Sequence, residues 1–273
     1  MLGKLIKTLI RNNALYTKFV RKYWLYLNYS REAKRFFSQN AKRVSAVSDM
    51  FADEKSRKTY LSMIKYRQTY KKKDYPNWDS STPRYFVEEL NLGSDEVYID
   101  CGAYDGDTID DFLNYCKGEY EQIIAFEPNA MNFETIKRKY GDNPKITLIN
   151  AGVYDKDGEM RFSEIQCSTD SGIVENSNNS SFTIETKAID NLGLEKVTFI
   201  KMDIEGAELS ALKGAKVTIL RDKPKLAICI YHSNDDMISI AEYIHDLIPE
   251  YKLYVKQHET YPIFFDTILY AVS

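Results

Sequence analysis

Ten residues, Phe199-Ile-Lys-Met-Asp-Ile-Glu-Gly-Ala-Glu208, set three acids and a lysine beside a run of core apolars. A buried strand that delivers Asp203 and Glu205 to its carboxyl edge, then a glycine turn into a helix, would produce this pattern. Such an edge can attract a cation or accept a proton. An upstream segment repeats the design. Val97-Tyr-Ile-Asp-Cys-Gly-Ala-Tyr-Asp-Gly-Asp107 again runs strand, acid, glycine turn, helix. Two such edges in an open α/β sheet define a crevice, which is where these sheets bind ligands.

The elements that must position these residues follow from periodicity. From Val97 onward strands and helices alternate, the pattern of a parallel sheet with helices on both faces. Core strands are predicted at Val97–Ile99, Gln122–Phe126, Ile146–Ile149, Val197–Met202 and Leu226–Tyr231. Helices are predicted at Asp107–Cys116, Ala130–Tyr140, Ala207–Leu220 and Asp235–Ile248. Shorter strands, Gly158–Ile165 and Ser181–Ile189, flank a polar insertion, Cys167–Ser180. Leu253–Lys256 and Thr267–Ala271 close the pattern as an antiparallel pair at the sheet edge, which an ordinary dinucleotide fold does not need.

In the first crevice, Gly102 and Gly106 stand where the chain must turn sharply and approach a ligand closely. Glu127, in Ala125-Phe-Glu-Pro-Asn129, ends the next strand and can accept both hydrogens of a ribose diol. Its alternative role is a helix-entry charge beside Pro128. A pyrophosphate would need three glycines and bare helix N–H groups. The turn instead carries Asp100, Asp105 and Asp107, with Asp110 and Asp111 close behind. These acids would repel a diphosphate and suit S-adenosylmethionine, whose sulfonium and ammonium are cationic, over NAD.

Four blocks in order carry a resemblance: Asp100-Cys-Gly-Ala-Tyr-Asp-Gly-Asp107, Phe126-Glu-Pro-Asn129, Asn150-Ala-Gly-Val-Tyr-Asp155 and Lys201-Met-Asp-Ile-Glu-Gly-Ala-Glu208. Together they resemble the FkbM family of S-adenosylmethionine-dependent methyltransferases over about Val97–Val272. The resemblance implies a Rossmann-like, seven-stranded class I methyltransferase sheet, mostly parallel with a terminal antiparallel hairpin. It implies methyl transfer, usually to oxygen, on sugars or other small metabolites. It places the methionine end of the cofactor along Asp100, Gly102, Ala103, Tyr104, Asp105, Gly106, Asp107 and Thr108. It places the ribose by Glu127, Pro128 and Asn129, and the adenine near Gly152 and Val153.

An alcohol acceptor must lose its proton as it attacks, which calls for a general base. Asp203 is expected over the sulfonium. Lys201, Asp203 and Glu205 share a face if the extended geometry continues. A lysine inside an apolar strand needs a carboxylate partner, so a Lys201–Asp203 or Lys201–Glu205 pair is the purely structural reading. Glu208, in the first helical turn, is expected as a dipole-favoured charge. His232 ends the fifth core strand at the same edge and is the leading candidate base. His258 follows the next strand and could face the same pocket. His245 is expected at the surface or in packing. A magnesium site from Asp203, Asn234 and Asp235 is an alternative, but His232 does not suit that ion and no metal is expected.

The chain has 273 residues and a net charge of −3, and that average hides a split. Residues 1–90 carry 20 Lys+Arg against 8 Asp+Glu, about +12, and the remainder about −15. Residues 1–83 are therefore expected as a basic helical extension and 84–273 as the catalytic domain, joined through the proline-containing stretch Asp74–Pro83. Leu2, Leu5, Ile6, Leu9, Ile10, Tyr16, Phe19, Tyr23, Trp24 and Leu27 form an apolar face between lysines and arginines. Such a helix suits an anionic membrane surface, its own body, or a second copy. No run of 18 apolar residues occurs, and Met1–Ile10 is a poor signal peptide. Four cysteines without framework spacing suit reduced thiols in the cytoplasm. The expected partner is a small-molecule or glycan acceptor, with no specific nucleic acid despite the basic front. The rivals are an NAD-linked oxidoreductase and a non-catalytic protein that keeps the fold.

Overall fold

The computed structural model describes residues 29–78, 83–163, 181–259 and 266–273. The apolar face expected over Leu2–Leu27 and the polar insertion Cys167–Ser180 lie outside the described residues. Helices run over residues 29–39 (α1), Ala41–Met50 (α2) and Glu54–Thr69 (α3). Then come strand β1 (Val97–Cys101), helix α4 (Asp107–Tyr115), β2 (Gln122–Phe126), α5 (Ala130–Tyr140) and β3 (Ile146–Ile149). Next are β4 (Gly152–Val153), β5 (Gly158–Ser163), β6 (Ser181–Lys187), β7 (Phe199–Met202), α6 (Glu208–Lys213) and α7 (Lys216–Asp222). The chain continues through β8 (Lys225–Cys229), α8 (Asp236–Leu247), β9 (Lys252–Gln257) and β10 (Thr267–Val272).

Seven strands form one sheet in the order β3-β2-β1-β7-β8-β10-β9. β10 alone runs against its neighbours and inserts between β8 and β9. The closing pair is thus the expected antiparallel pair at the sheet edge, with β9 outermost and β10 against β8. β4, β6 and β5 form a small separate sheet.

β1 is buried along its whole length, as a central strand covered on both faces must be. Its side chains alternate between two cores. Ile99 and Cys101 join Ile200, Met202, Leu226 and Ile228 on one face. Tyr98 stacks on Phe199 on the other, with ring centroids 4.8 Å apart.

From residue 33 the N-terminal helices share the first of these cores, through Ala33, Phe37, Val47, Tyr60, Met63, Ile64 and Tyr66. Asp53 caps α3 by accepting from Ser56 N at 2.6 Å. Just before it, Ala52 N donates to Leu253 O at 2.8 Å, and Phe51 bridges to Leu253. The extension thereby covers the outer edge of β9, a position that sheets otherwise leave open to other strands. Among the described residues no helix is long and apolar enough to cross a membrane.

One predicted helix is two. The Ala207–Leu220 segment breaks after Lys213. Gly214 packs so closely that an added Cβ would lie 2.1 Å from Tyr154 O. Asp190 then takes the amides of Val217 (2.9 Å) and Thr218 (2.8 Å), satisfying donors that open the second helix.

Candidate active site

The strand order reverses between β1 and β7, and the turns after both strands meet there. Gly102 (φ 87°) and Gly106 (φ 93°) need the left-handed backbone. Their lack of a side chain serves the protein itself. A Cβ on Gly102 would lie 2.1 Å from Asp203 O, and one on Gly106 would lie 2.7 Å from the Tyr140 ring. At Gly102 this is an approach between the turns after β1 and β7, and at Gly106 an approach to the last residue of α5.

Asp100 is fully buried and spends both oxygens internally. Oδ1 meets Lys201 Nζ at 3.0 Å and Oδ2 accepts from Thr108 Oγ1. Lys201 Nζ also donates to Gly102 O at 2.8 Å. The expected pairing of Lys201 with Asp203 or Glu205 is thus replaced by Asp100, for a reason of register. Asp100 and Lys201 lie opposite each other on parallel strands, whereas the extended chain stops at Met202. Glu205 (φ 57°) and Gly206 (φ 96°) already turn away. Burial works against the Lys201 ammonium, but Asp100 and Asp203 outweigh it and raise its pKa.

The remaining residues of the first crevice do converge. Glu127 Oε2 accepts from Tyr104 N (2.9 Å) and Oε1 from Asn129 N (2.8 Å). Two amides leave the carboxylate with acceptor capacity for the Asn132 side chain and for a ligand. Burial raises the Glu127 pKa, opposed by those amides. Asn129 also caps α5 through Met131 N and Asn132 N. Pro128 lies beside Gly152, whose neighbour Val153 is buried in β4. Gly102 N and Ala103 N both donate to Phe126 O, tying the first turn to the end of β2. Tyr104 is 47 % exposed, and Asp105 and Asp107 sit beside it at the start of α4. Asp107 lies 3.8 Å from Arg84. A carboxylate with spare lone pairs, an exposed aromatic ring and further acids fit a nucleoside carrying a cationic sulfur.

The second crevice is a network of a different kind. Asp203 Oδ1 accepts from Tyr231 Oη (2.9 Å) and Oδ2 from Tyr85 Oη (2.8 Å). His232 places Nε2 3.4 Å from Asp203 Oδ1 and 3.7 Å from Glu205 Oε2. Its Nδ1 lies 3.1 Å from Glu208 Oε1. Burial would lower the His232 pKa, but Glu208, Asp203 and Glu205 overcome it and lift the ring to about 9. Burial would raise that of Asp203, yet Lys201, His232 and the two tyrosines hold it below the usual carboxylate value. Glu208 lies in the first turn of α6, as expected of a dipole-favoured charge, but it does more than that. It is fully buried, accepts from Ile204 N at 2.8 Å and faces the imidazole. The structure thus gathers His232, Asp203 and Glu205, with Lys201 one residue pair away. His258 directly follows β9, and its Nε2 meets Tyr270 Oη at 2.7 Å.

Three residues escaped the sequence reading. Tyr231 precedes His232 in the motif and carried a readable signal. Glu208 stands in the same block as Glu205 and reads only as a helix-start charge, because its burial against His232 depends on a distant strand. Tyr85 arrives from far upstream with a left-handed backbone (φ 69°), and nothing in its neighbours marks it. One donor atom each from Asp203, Glu208 and His232 falls within 4.8 Å of the others, so these could hold a divalent ion. The magnesium set considered from sequence is not assembled. Asn234 faces Arg67 at 3.2 Å and Asp235 lies 3.8 Å from Arg43.

The sequence matches the model of the methyltransferase FkbM domain over residues 100–256. It is 24 % identical over 150 residues to the 2-O-methyltransferase NoeI of Sinorhizobium fredii, covering 47 % of this chain and 61 % of that protein. The fold superposes on the crystal structure of the methyltransferase FkbM from Methylobacillus flagellatus with a TM-score of 0.73 and 29 % identity, covering 87 % of this chain and 60 % of that one. The chain spans about three fifths of the length of both relatives. With a family match over more than half its length, and with the sheet and its two crevices in the order described, the chain belongs to the FkbM methyltransferase family.

Proposed function

We propose that this protein transfers a methyl group from S-adenosylmethionine to a hydroxyl oxygen of a small acceptor, with a sugar of a glycan precursor as the first class to test. The observation that carries the reading is His232 at the switch point, with Nδ1 against buried Glu208 and Nε2 beside Asp203. An oxygen acceptor is supported by the Sinorhizobium relative, a 2-O-methyltransferase. The sugar class rests on the resemblance set out from the motifs.

The cofactor supplies a methyl group on a positively charged sulfur. The chain's own residues bind, orient and move a proton. Glu127 offers its free lone pairs to a diol, and Asp105 and Asp107 favour a cation. Glu208 fixes the tautomer of His232 by facing Nδ1, which leaves Nε2 to take the acceptor proton. At neutral pH the ring rests as an imidazolium, because its three carboxylates lift its pKa to about 9. It must lose that proton before it can act as the base. Tyr85 and Tyr231 keep Asp203 ionised and fixed, so that it can stabilise the imidazolium once the proton has moved.

The test is calorimetric titration with S-adenosylhomocysteine and with NAD, followed by methyl uptake from labelled cofactor across nucleotide sugars and free sugars. Binding of the first ligand and labelling of a hydroxyl are expected. Tight NAD binding alone would restore the oxidoreductase reading. Cofactor binding without methyl uptake by any acceptor would favour a non-catalytic protein. We also propose a cytoplasmic location, with the basic N-terminal stretch touching a membrane, an assembly partner or a second copy. Sedimentation with anionic vesicles and the solution mass distinguish these.

A further inference from the structure

His232 stands on a short loop between β8 and α8, and one buried side chain grips that loop on both sides of it. Arg67, in the last turn of α3, donates from Nη2 to Tyr231 O and from Nη1 to Asn234 Oδ1 at 3.2 Å. It is 6 % exposed, and desolvation brings its pKa down to about 10. A guanidinium is suited to this task because its fork is planar and can address two acceptors at a fixed separation. A lysine ammonium is a point charge and cannot span them in the same way.

The rest of the loop is held from the other direction. Ser233 N donates to Asp236 Oδ2 at 2.8 Å and Asp236 N to Ser233 Oγ at 3.0 Å. Arg43 of α2 reaches Asp235 at 3.8 Å and Glu242 at 2.6 Å. Burying a guanidinium is costly, and Arg67 is placed where that cost orders the backbone on either side of the imidazole. It comes from outside residues 100–256, the part of the chain that the family model covers.

We propose that Arg67 is a positioning residue for the reaction, through which the N-terminal helices hold His232 against Glu208 and Asp203. This rests on the methyltransferase reading for its effect on turnover, but not for its effect on the ring. The charged groups facing His232 are Glu208 from α6, Asp203 and Glu205 from the turn before it, and Asp236 from α8. Arg67 faces the same loop from α3. Losing its positive charge alone would raise the His232 pKa. Losing its grip would free the ring from the carboxylates and lower that pKa toward 6.5. The two effects have opposite signs.

The experiment uses the full chain with Arg67→Lys, Arg67→Gln and, as the milder variant, Asn234→Ala. The three histidines are followed by NMR titration, with His232 assigned through His232→Gln. The His232 pKa is expected to fall in both Arg67 variants and, by less, in Asn234→Ala. S-adenosylhomocysteine affinity should stay within about twofold, and kcat should drop roughly 10- to 100-fold, the scale of a misplaced group. An unchanged or raised His232 pKa in Arg67→Lys or Asn234→Ala overturns the proposal. So does a parallel loss of cofactor affinity and turnover that tracks the folded fraction. If the wild-type protein methylates nothing, the proposed function fails while the ring titration still decides this point.

Discussion

The turn after β1 and the turn after β7 are both acidic, both glycine-containing, and pressed against each other, yet their carboxylates live differently. After β1 the acids are matched. Asp100 is closed off by Lys201 and Thr108, and Glu127, at the neighbouring end of β2, is held by two backbone amides with acceptor capacity left over. After β7 they outnumber their partners. Asp203, Glu205 and Glu208 surround one imidazole, and Glu208 Oε2 and both ring nitrogens of His232 make no well-directed hydrogen bond among the described residues. Buried polar groups are normally satisfied, and the exceptions concentrate where a ligand or a reaction completes them. An acid-rich strand edge can therefore be framework or chemistry, and partner accounting separates the two.

Breaking each side should fail in a different way. His232→Gln should lower kcat by about 10²–10⁴-fold, the usual worth of a positioned base, while S-adenosylhomocysteine still binds by calorimetry. A variant with near-normal turnover would move the chemistry elsewhere. Lys201→Met strands Asp100 in the core and should cost about 3–5 kcal/mol of unfolding free energy in urea titrations. A stable Lys201→Met protein with lost turnover would make the lysine catalytic instead. Glu208→Gln should reduce plateau turnover by roughly tenfold through loosened orientation, and shift the pH limb. In the wild type, kcat/KM rises with pH toward a plateau above about 9, and without the Glu208 charge that limb moves toward 6.5.

The same shift enters stability. Because the folded pKa of His232 lies above its unfolded value, its contribution is complete below 6.5 and disappears as pH rises through about 9. Urea midpoints of wild type and His232→Gln should converge across that interval, and a constant gap would count against the charged ring. The smallest effects belong to Tyr85→Phe and Tyr231→Phe. Each removes one bond to an ionised carboxylate, worth about 1.5 kcal/mol. Each should let the Asp203 pKa climb back toward its ordinary value, measurable by carboxylate NMR.

Much of the frame was legible in the sequence, because it depends on local pattern. Helix Ala130–Tyr140 and strand Gln122–Phe126 lie where their periodicity puts them. His232 and Asp203 were also readable as a pair, since strand ends at one sheet edge must converge. What escaped depends on contacts distant in the chain. Lys201 finds Asp100 through register, Gly214 breaks a helix because Tyr154 presses on it, and Tyr85 and Arg67 enter from segments with no motif. Periodicity carries no information about which distant residue will arrive beside a given position.

The insertion of β10 between β8 and β9 has a consequence for the birth of the molecule. While a ribosome is still making residues 267–272, β8 has an unfilled flank and β9 has no neighbouring strand of the sheet to pair with. The strand that carries the chain toward His232 must wait, exposed, until residues 267–272 have emerged. Nascent chains of this protein should therefore depend on chaperone shelter until residues 267–272 have left the ribosome.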